Sequence, residues 1–168
     1  MRLFIAIDLS EDMKRALISL QNEMKRAGVR GNYTPRENMH LTLAFIGEYN
    51  DPEKASNVLD GLRFSPIQLS LEGVGSFGEV WWAGLKASDA LSSLAARLRR
   101  ALANAGIPCD GKRFSPHVTL LRRPDALHIP PLAPQDASMV ANRVRLMRSD
   151  RGKNGMIYTE LYGVDAEN

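Results

Sequence analysis

The chain has 168 residues, of which 44% are apolar and 24% are charged, an ordinary composition for a globular protein that buries its own core. No apolar run approaches the roughly 20 residues that span a bilayer, so the composition excludes a transmembrane protein and we expect a cytoplasmic one. The only cysteine, Cys109, excludes an intramolecular disulfide and argues against a thiolate metal cluster.

Positive charge is concentrated in the stretch 97–153, although the whole chain carries a formal net charge of only +3. That stretch holds 12 of the 22 Lys and Arg residues but only 4 of the 19 Asp and Glu residues. Such an asymmetry favours an anionic partner, and nucleic acid is one candidate. A solvated basic face would give the same pattern, so charge alone does not decide between them.

The first part of the chain predicts alternating strands and helices. Arg2–Leu9 is typical of a strand that is apolar on both faces. Ser10 fits the N-cap of an amphipathic helix that ends at Gly28, because acidic residues and spaced apolar residues follow it. A second strand is predicted over Met39–Ile46, and a helix over Pro52–Leu62.

The middle of the chain predicts a strand pair and a third helix. Pro66–Leu71 alternates apolar and polar residues, as a half-buried strand does, and Val80–Lys86 is its expected antiparallel neighbour across a glycine-rich connection. A helix is predicted over Ser88–Asn104, since Gly106 and Pro108 follow it.

The last part of the chain predicts a loop and two closing strands. Pro124–Pro134 contains four prolines and should be an ordered surface loop. Strands are expected over Met139–Met147 and Met156–Tyr162, joined by a charged turn at Ser149–Gly155. Each half of the chain then holds a motif strand, a helix and paired strands, which suggests two similar lobes facing each other within one domain, 1–168.

A repeated tetrapeptide is the most informative feature of the sequence. HLTL at positions 40–43 returns 77 positions later as HVTL at positions 117–120. A strand places residues i and i+2 on one face about 7 Å apart, so each copy aligns a histidine with a threonine. Two such strands meeting across a cleft supply two imidazoles for acid–base work and two hydroxyls for one phosphate, from His40 with Thr42 and His117 with Thr119.

Several other readings of the repeat are weaker. Each histidine alone could be a structural partner within its strand, but a matched pair favours function. A catalytic zinc site usually needs three protein ligands, and neither copy offers an HxH pair, an ExxH or a nearby acid on the same face. A Ser–His–Asp system lacks a GxSxG elbow. In-line displacement at phosphorus fits best and requires no metal and no cofactor.

Other residues near the repeat are candidates for the site. Arg122 directly follows the second copy and could hold a nonbridging phosphate oxygen. Tyr33 and Phe114 shortly precede the two copies; rings of this kind most often lie in a core, but each could flank the cleft and contact substrate. The third histidine, His128, lies in the proline-rich loop and is read as a surface residue.

With these motifs the chain resembles the RNA 2',3'-cyclic phosphodiesterases, once called 2'-5' RNA ligases, of the two-histidine phosphoesterase superfamily. The similarity runs nearly end to end and includes RLFIAIDL at 2–9, the stretches 37–48 and 114–122, and Ser149, Gly155 and Tyr158. One departure is Tyr33, where many relatives carry tryptophan.

The resemblance implies an α+β fold, with two antiparallel sheets in two pseudo-symmetric lobes, helices outside and the active site in the cleft between them. It implies hydrolysis of a terminal RNA 2',3'-cyclic phosphate to a 2'-phosphomonoester. By position, His40 would be the proton donor to the departing 3' oxygen, His117 the proton acceptor from water, and Thr42 and Thr119 the phosphate ligands.

The expected partners are RNA ends or small cyclic nucleotides, and the protein is expected to be a monomer without membrane contact. Two alternatives stay open at this point. One is reversible 2'-5' joining of RNA ends, and the other is a non-catalytic module that binds RNA ends. Two titrating groups argue for catalysis, because binding alone would not need them.

Overall fold

A computed structural model describes residues 1–167, which form two antiparallel β-sheets and three α-helices. The strands are β1 (Arg2–Asp8), β2 (Asn32–Tyr33), β3 (His40–Glu48), β4 (Ile67–Phe77), β5 (Val80–Leu85), β6 (His117–Arg122), β7 (Ser138–Ala141), β8 (Arg143–Gly152) and β9 (Gly155–Asp165). The helices are α1 (Glu11–Arg26), α2 (Pro52–Asp60) and α3 (Asp89–Asn104). The prediction of an α+β fold with two antiparallel sheets and flanking helices is confirmed.

The two sheets each contain one copy of the repeat. The first sheet has the order β3-β1-β8-β9 and the second the order β2-β6-β5-β4-β7. They are not consecutive halves of the chain, because β8 and β9 return to the first sheet after β4 to β7 have built the second. The first sheet is thus completed by residues 143–165, through a long-range pairing that no local pattern encodes.

Two of the three helices, α1 and α3, pack against the sheet to which the strand before them does not belong. The Ser10 hydroxyl accepts a hydrogen bond from the Met13 amide, so the predicted cap of α1 is confirmed, and the Ser88 hydroxyl caps α3 in the same way by accepting from the Leu91 amide. Although α1 follows a strand of the first sheet, it packs against β6 and β7 of the second. In turn α3 follows a strand of the second sheet and packs on β3 of the first, whereas α2 follows β3 and packs on β8 and β9 of the same sheet. This exchange joins the two lobes into one unit with a continuous core.

Two predicted strands differ from the observed ones. The strand predicted to end at Leu71 continues to Phe77, because Gly73 adopts a φ of 73° and a bulge between Leu71 and Val74 carries the chain onward. The glycine-rich segment that sequence reasoning assigned to a connection is therefore strand, and its residues lie next to the site.

The strand predicted over Met139–Met147 is in fact two strands in different sheets, separated at Asn142. Asn142 and Arg143 are the only two consecutive polar residues in this segment, and the prediction of one strand passed over them. The charged turn predicted at 149–155 is also shorter than expected, since β8 and β9 pair as far as Gly152 and Gly155. Gly155 takes a φ of 123° there, which suits glycine.

Candidate active site

The first copy of the repeat lies on β3, the edge strand of the first sheet, next to β1. Along β3 the side chains of Leu41 and Leu43 are buried in the main core, whereas His40 and Thr42 point to the opposite face and are half-buried. His40 pairs with Asp8 of β1, and Thr42 pairs with Ala6. The predicted alignment of histidine and threonine on one face is what this pairing produces.

The second copy lies on β6, between β2 and β5 of the second sheet, and its side chains alternate in the same way. Val118 and Leu120 are buried, and His117 and Thr119 lie half-buried on the other face. Thr119 pairs with Trp82 of β5, so the indole shares the face of the repeat. The strands β3 and β6 contact each other, which brings the two copies together from different sheets.

A β-bulge follows the threonine in both copies. In β3 the pairing with β1 skips Leu43, and in β6 the pairing with β5 skips Leu120. An extra residue reverses the alternation of side chains beyond it. As a result Arg122, three positions after Thr119, pairs with Val80 and returns to the face that carries His117. Without the bulge the guanidinium would point away from the repeat.

Each histidine is oriented by a backbone carbonyl two residues earlier. His40 Nδ1 donates to the Asn38 carbonyl at 2.7 Å, and His117 Nδ1 donates to the Ser115 carbonyl at 2.7 Å. Because a carbonyl can only accept, Nδ1 carries a proton in both rings and Nε2 is the nitrogen left to exchange one. His40 Nε2 lies 2.9 Å from Thr42 Oγ1, while His117 Nε2 has no hydrogen-bond partner within residues 1–167.

Burial and nearby charges determine the electrostatic environment of His40. Burial lowers the pKa of His40 from its ordinary 6.5, and the nearby charges of Arg122 and Arg145 act in the same direction. The hydrogen bond to the Asn38 carbonyl and the charge of Asp8 oppose that shift. The influence of Arg122 on His40 is notable because the arginine belongs to the second sheet. Residues of both sheets therefore share one electrostatic environment.

An ion-pair cluster beside His40 was missed by sequence reasoning. Arg145 Nη1 lies 2.9 Å from Asp8 Oδ2, and its Nε lies 3.0 Å from Glu160 Oε1. Asp8 and Arg145 line a small pocket together with His40 and Tyr158. They also line a cavity of about 570 Å³ where β7 passes into β8, but neither histidine reaches that larger cavity. The cross-strand pairing of Asp8 with His40 is the signal that could have revealed the cluster.

Tyr33 and Phe114 do not contact the histidines. Tyr33 pairs with Leu121, a core residue, and its hydroxyl donates to the Val29 carbonyl at 2.8 Å. Phe114 packs against the core, with the Arg99 guanidinium 5.6 Å from its ring centroid. The suggestion that these two rings flank the cleft is therefore corrected: both rings pack against the main core.

Other aromatic rings pack against the two imidazoles. Phe4 and Tyr158 lie 4.8 and 5.3 Å from the His40 ring, centroid to centroid. Phe77 and Trp82 lie 5.2 and 6.0 Å from the ring of His117. Each imidazole thus has an aromatic pair of its own, and these contacts restrict its rotation.

The Trp82 indole packs directly against the backbone of Gly75. A Cβ atom at position 75 would lie 2.4 Å from the Trp82 ring, so we expect Gly75→Ala to displace the indole and to lower the free energy of unfolding by about 1–3 kcal/mol. Gly111→Ala is the matched control, because no atom lies within 4 Å of the added Cβ; its effect should stay within about 1 kcal/mol. Urea denaturation of both variants checks this, and equal stabilities would contradict it.

Two further observations concern the described residues alone. Within 1–167, no three His, Cys, Asp or Glu side chains come close enough together to hold a metal ion. Over the same range, no helix is long and apolar enough to cross a membrane.

Fold and site together define a class of protein: an α+β protein in which two sheets each contribute one His-x-Thr strand, and these two strands contact each other. The model of the 2'-5' RNA ligase superfamily matches residues 15–153 of the chain. The chain belongs to this superfamily, and the resemblance noted in the sequence is confirmed.

Individual relatives cover most of the chain. It is 30% identical to an RNA 2',3'-cyclic phosphodiesterase of Thermotoga maritima over 96% of this chain and 94% of that protein. It is 35% identical to an RNA 2',3'-cyclic phosphodiesterase of Escherichia coli over 77% of each. The crystal structure of E. coli LigT complexed with 3'-AMP superimposes with a TM-score of 0.86 at 27% identity, covering 99% of this chain and 98% of that one.

Proposed function

We propose that the protein hydrolyses terminal RNA 2',3'-cyclic phosphate to a 2'-phosphomonoester by general acid–base catalysis with two histidines. The observation that carries the proposal is the matched geometry of the repeat: in both copies Nδ1 is held by a carbonyl and Nε2 is left to transfer a proton. The activity named for relatives at about 30% identity supports the same reaction.

In the proposed mechanism His117 Nε2 accepts a proton from water as the water attacks phosphorus. The phosphorus–O3' bond breaks on the opposite side, and His40 Nε2–H gives its proton to the departing 3' oxygen. The water oxygen becomes a phosphate oxygen, and the 2' ester is retained. Proton uptake at one ring and release at the other leave the pair ready to be reset by exchange with solvent.

The phosphate itself would be held by three groups, each on the face of its sheet that carries the histidine of the repeat, which we call the shared face. Thr42 and Thr119 hydroxyls donate to nonbridging oxygens, and Arg122 supplies the positive charge that grows in importance as the transition state forms. Thr42 Oγ1 lies 2.9 Å from His40 Nε2, so in the protonated form of His40 the Nε2–H group donates to Oγ1 and the hydroxyl proton of Thr42 is available to a phosphate oxygen. The Nε2–H group then turns from Oγ1 to the departing 3' oxygen.

The proposed substrates are RNA ends and small nucleotides that carry the cyclic phosphate, and the proposed working form is a cytoplasmic monomer. A neutral ring and a charged ring at near-neutral pH suffice for the reaction, without metal or cofactor.

A short RNA ending in 2',3'-cyclic phosphate tests the reaction directly. The purified protein should convert it, in buffer without divalent ions, to the 2'-phosphomonoester, which separates from the 3' isomer by chromatography. Formation of the 3' isomer would mean that the other ester bond breaks, and no turnover would overturn the proposal.

Chelation tests the independence from metal. After treatment with excess EDTA and desalting, we expect the rate on the cyclic substrate to be unchanged, because both proton transfers and the phosphate contacts are assigned to protein side chains. A clear loss of rate that a single divalent ion restores would show that the reaction uses a metal.

The pH dependence should differ between free and substrate-bound enzyme. Burial lowers the pKa of His40, so the acid form of the free enzyme is lost as pH rises through that lowered value. A bound cyclic phosphodiester is an anion, and its charge beside His40 raises the pKa again. We therefore expect the alkaline limb of kcat/KM, which reports the free enzyme, to lie at lower pH than that of kcat. Coincident or reversed limbs, measured with a cyclic nucleotide, would contradict the expected rise in pKa when the anionic substrate binds.

A further inference from the structure

The aromatic pairs beside the two histidines differ in their exposure to solvent. Phe4, beside His40, is only 4% exposed and belongs to a small apolar cluster with Tyr158. Phe77, beside His117, is 48% exposed. The repeat is therefore symmetric in its histidines, but one ring of each aromatic pair differs in exposure: Phe4 is buried beside His40, and Phe77 is open to solvent beside His117.

The open ring is held in place rather than loosely attached. Its centroid lies 5.0 Å from that of Trp82 at an interplanar angle of 39°, so Phe77 rests on the indole. The indole in turn lies against Gly75, where a Cβ atom would approach it to 2.4 Å. Phe77 pairs with Val80, which pairs on its other side with Arg122, so ring and guanidinium stand in one cross-strand row on the shared face.

Phe77 lies on the side of the site from which the nucleophile enters in the proposed reaction. In an in-line displacement the nucleophile and the leaving oxygen lie on opposite sides of phosphorus. With His117 as base and His40 as acid, the nucleophile enters beside Phe77, and the ribose of the cyclic nucleotide remains on the side of His40. Water needs no aromatic surface, whereas a nucleophile that carries a base can stack on one.

We propose that Phe77 is the stacking surface for the base of an acceptor nucleotide, whose 5'-hydroxyl takes the place of water. The inference rests on the proposed function and extends it to 2'-5' transfer. His117 accepts the proton of the 5'-hydroxyl, its oxygen forms a bond to phosphorus, the phosphorus–O3' bond breaks, and His40 protonates O3'. The products are a 2'-5' phosphodiester and a free 3'-hydroxyl, and no further reactant is consumed.

A pair of acceptors that differ only by the base tests this role. Adenosine 2',3'-cyclic phosphate is the donor, and the acceptors are 2',3'-dideoxyadenosine, whose only hydroxyl is the 5' one, and tetrahydrofurfuryl alcohol, its sugar without the base. At equal concentration below saturation we expect the nucleoside to give at least about fivefold more transfer relative to hydrolysis than the alcohol, the factor for one stacked base.

In Phe77→Ala that preference for the nucleoside should disappear, and in Phe77→Tyr it should remain, because the ring is kept. Val74→Ala is the matched control, since it truncates another exposed apolar side chain of β4 whose cross-strand partner is the buried Ala83. Transfer and hydrolysis share one bound donor, so their ratio is unaffected by a general loss of turnover. A purely structural role of Phe77 would lower both products together.

The outcomes separate this inference from the proposed function. Hydrolysis without any preference for the nucleoside, or a preference that survives in Phe77→Ala, would overturn the acceptor role and leave the hydrolase standing. A rise in the KM of the donor in Phe77→Ala, with unchanged partition between acceptors, would place the donor base on this ring and also overturn it. Failure of hydrolysis itself would overturn the proposed function.

Discussion

Replacing His40 or His117 by alanine should lower the rate of cyclic phosphate hydrolysis at least about a hundredfold, the usual scale for the loss of a general acid or base. Both rings have Nδ1 bound to a backbone carbonyl and Nε2 left for proton transfer, and the third histidine of the chain, His128, lies on the exposed loop. The measurement is turnover of a nucleoside 2',3'-cyclic phosphate in the same buffer and at the same enzyme concentration for all variants. Near wild-type turnover in either folded variant would contradict the assignment.

Three comparisons distinguish lost chemistry from lost structure. His40→Asn can still donate to the Asn38 carbonyl but cannot titrate, so it should be as slow as His40→Ala while unfolding more like the wild type. His128→Ala removes the third histidine, which is exposed as predicted, and should leave turnover unchanged. Thr42→Ala and Thr119→Ala should lose less than the histidine variants, because proton transfer is retained.

The parts of the fold that sequence patterns predict are those determined locally. The caps at Ser10 and Ser88 and the apolar spacing after them define two helices almost to the residue. The repeat defines two strands and the face that each histidine shares with its threonine. Pairing between distant strands is different, because register depends on tertiary contacts that one segment does not encode.

The bulges after Thr42 and Thr119 illustrate this difference. Strict alternation assigns Arg122 to the face opposite Thr119, whereas the bulge at Leu120 returns it to the site. Adjacency in sequence suggested Arg122 as a candidate phosphate ligand but offered no reason for its orientation. That reason appears only when β5 is paired with β6.

The error at Tyr33 has a related cause. Tyr33 precedes the first copy of the repeat, but its short strand pairs with β6, the strand of the second copy. In that register its ring faces the core beside Leu121. Phe77 shows the opposite case: a segment taken for a connection is strand, and its last residue lies beside His117. Proximity in sequence is a poor guide to rings that reach the site across a sheet.

Which histidine is acid and which is base should be revealed by a leaving group that needs no proton. Limbs of a pH profile cannot assign the roles, since two coupled groups titrate as a pair. A 3'-deoxynucleoside 2'-(4-nitrophenyl) phosphate offers the same attack by water at a 2' phosphate, but the bond that breaks releases a phenolate of low pKa. The acid is then dispensable, whereas water must still lose its proton to a base.

We therefore expect His40→Ala to hydrolyse the aryl ester within about tenfold of the wild-type rate, although it remains at least about a hundredfold slow on the cyclic phosphate. His117→Ala should stay slow on both substrates. Release of nitrophenolate gives the rates directly, and Thr42→Ala, in which both rings remain, should show no selective recovery. Recovery in His117→Ala instead of His40→Ala would reverse the two roles. It would also move the entering nucleophile to the side of His40, away from the open ring of Phe77.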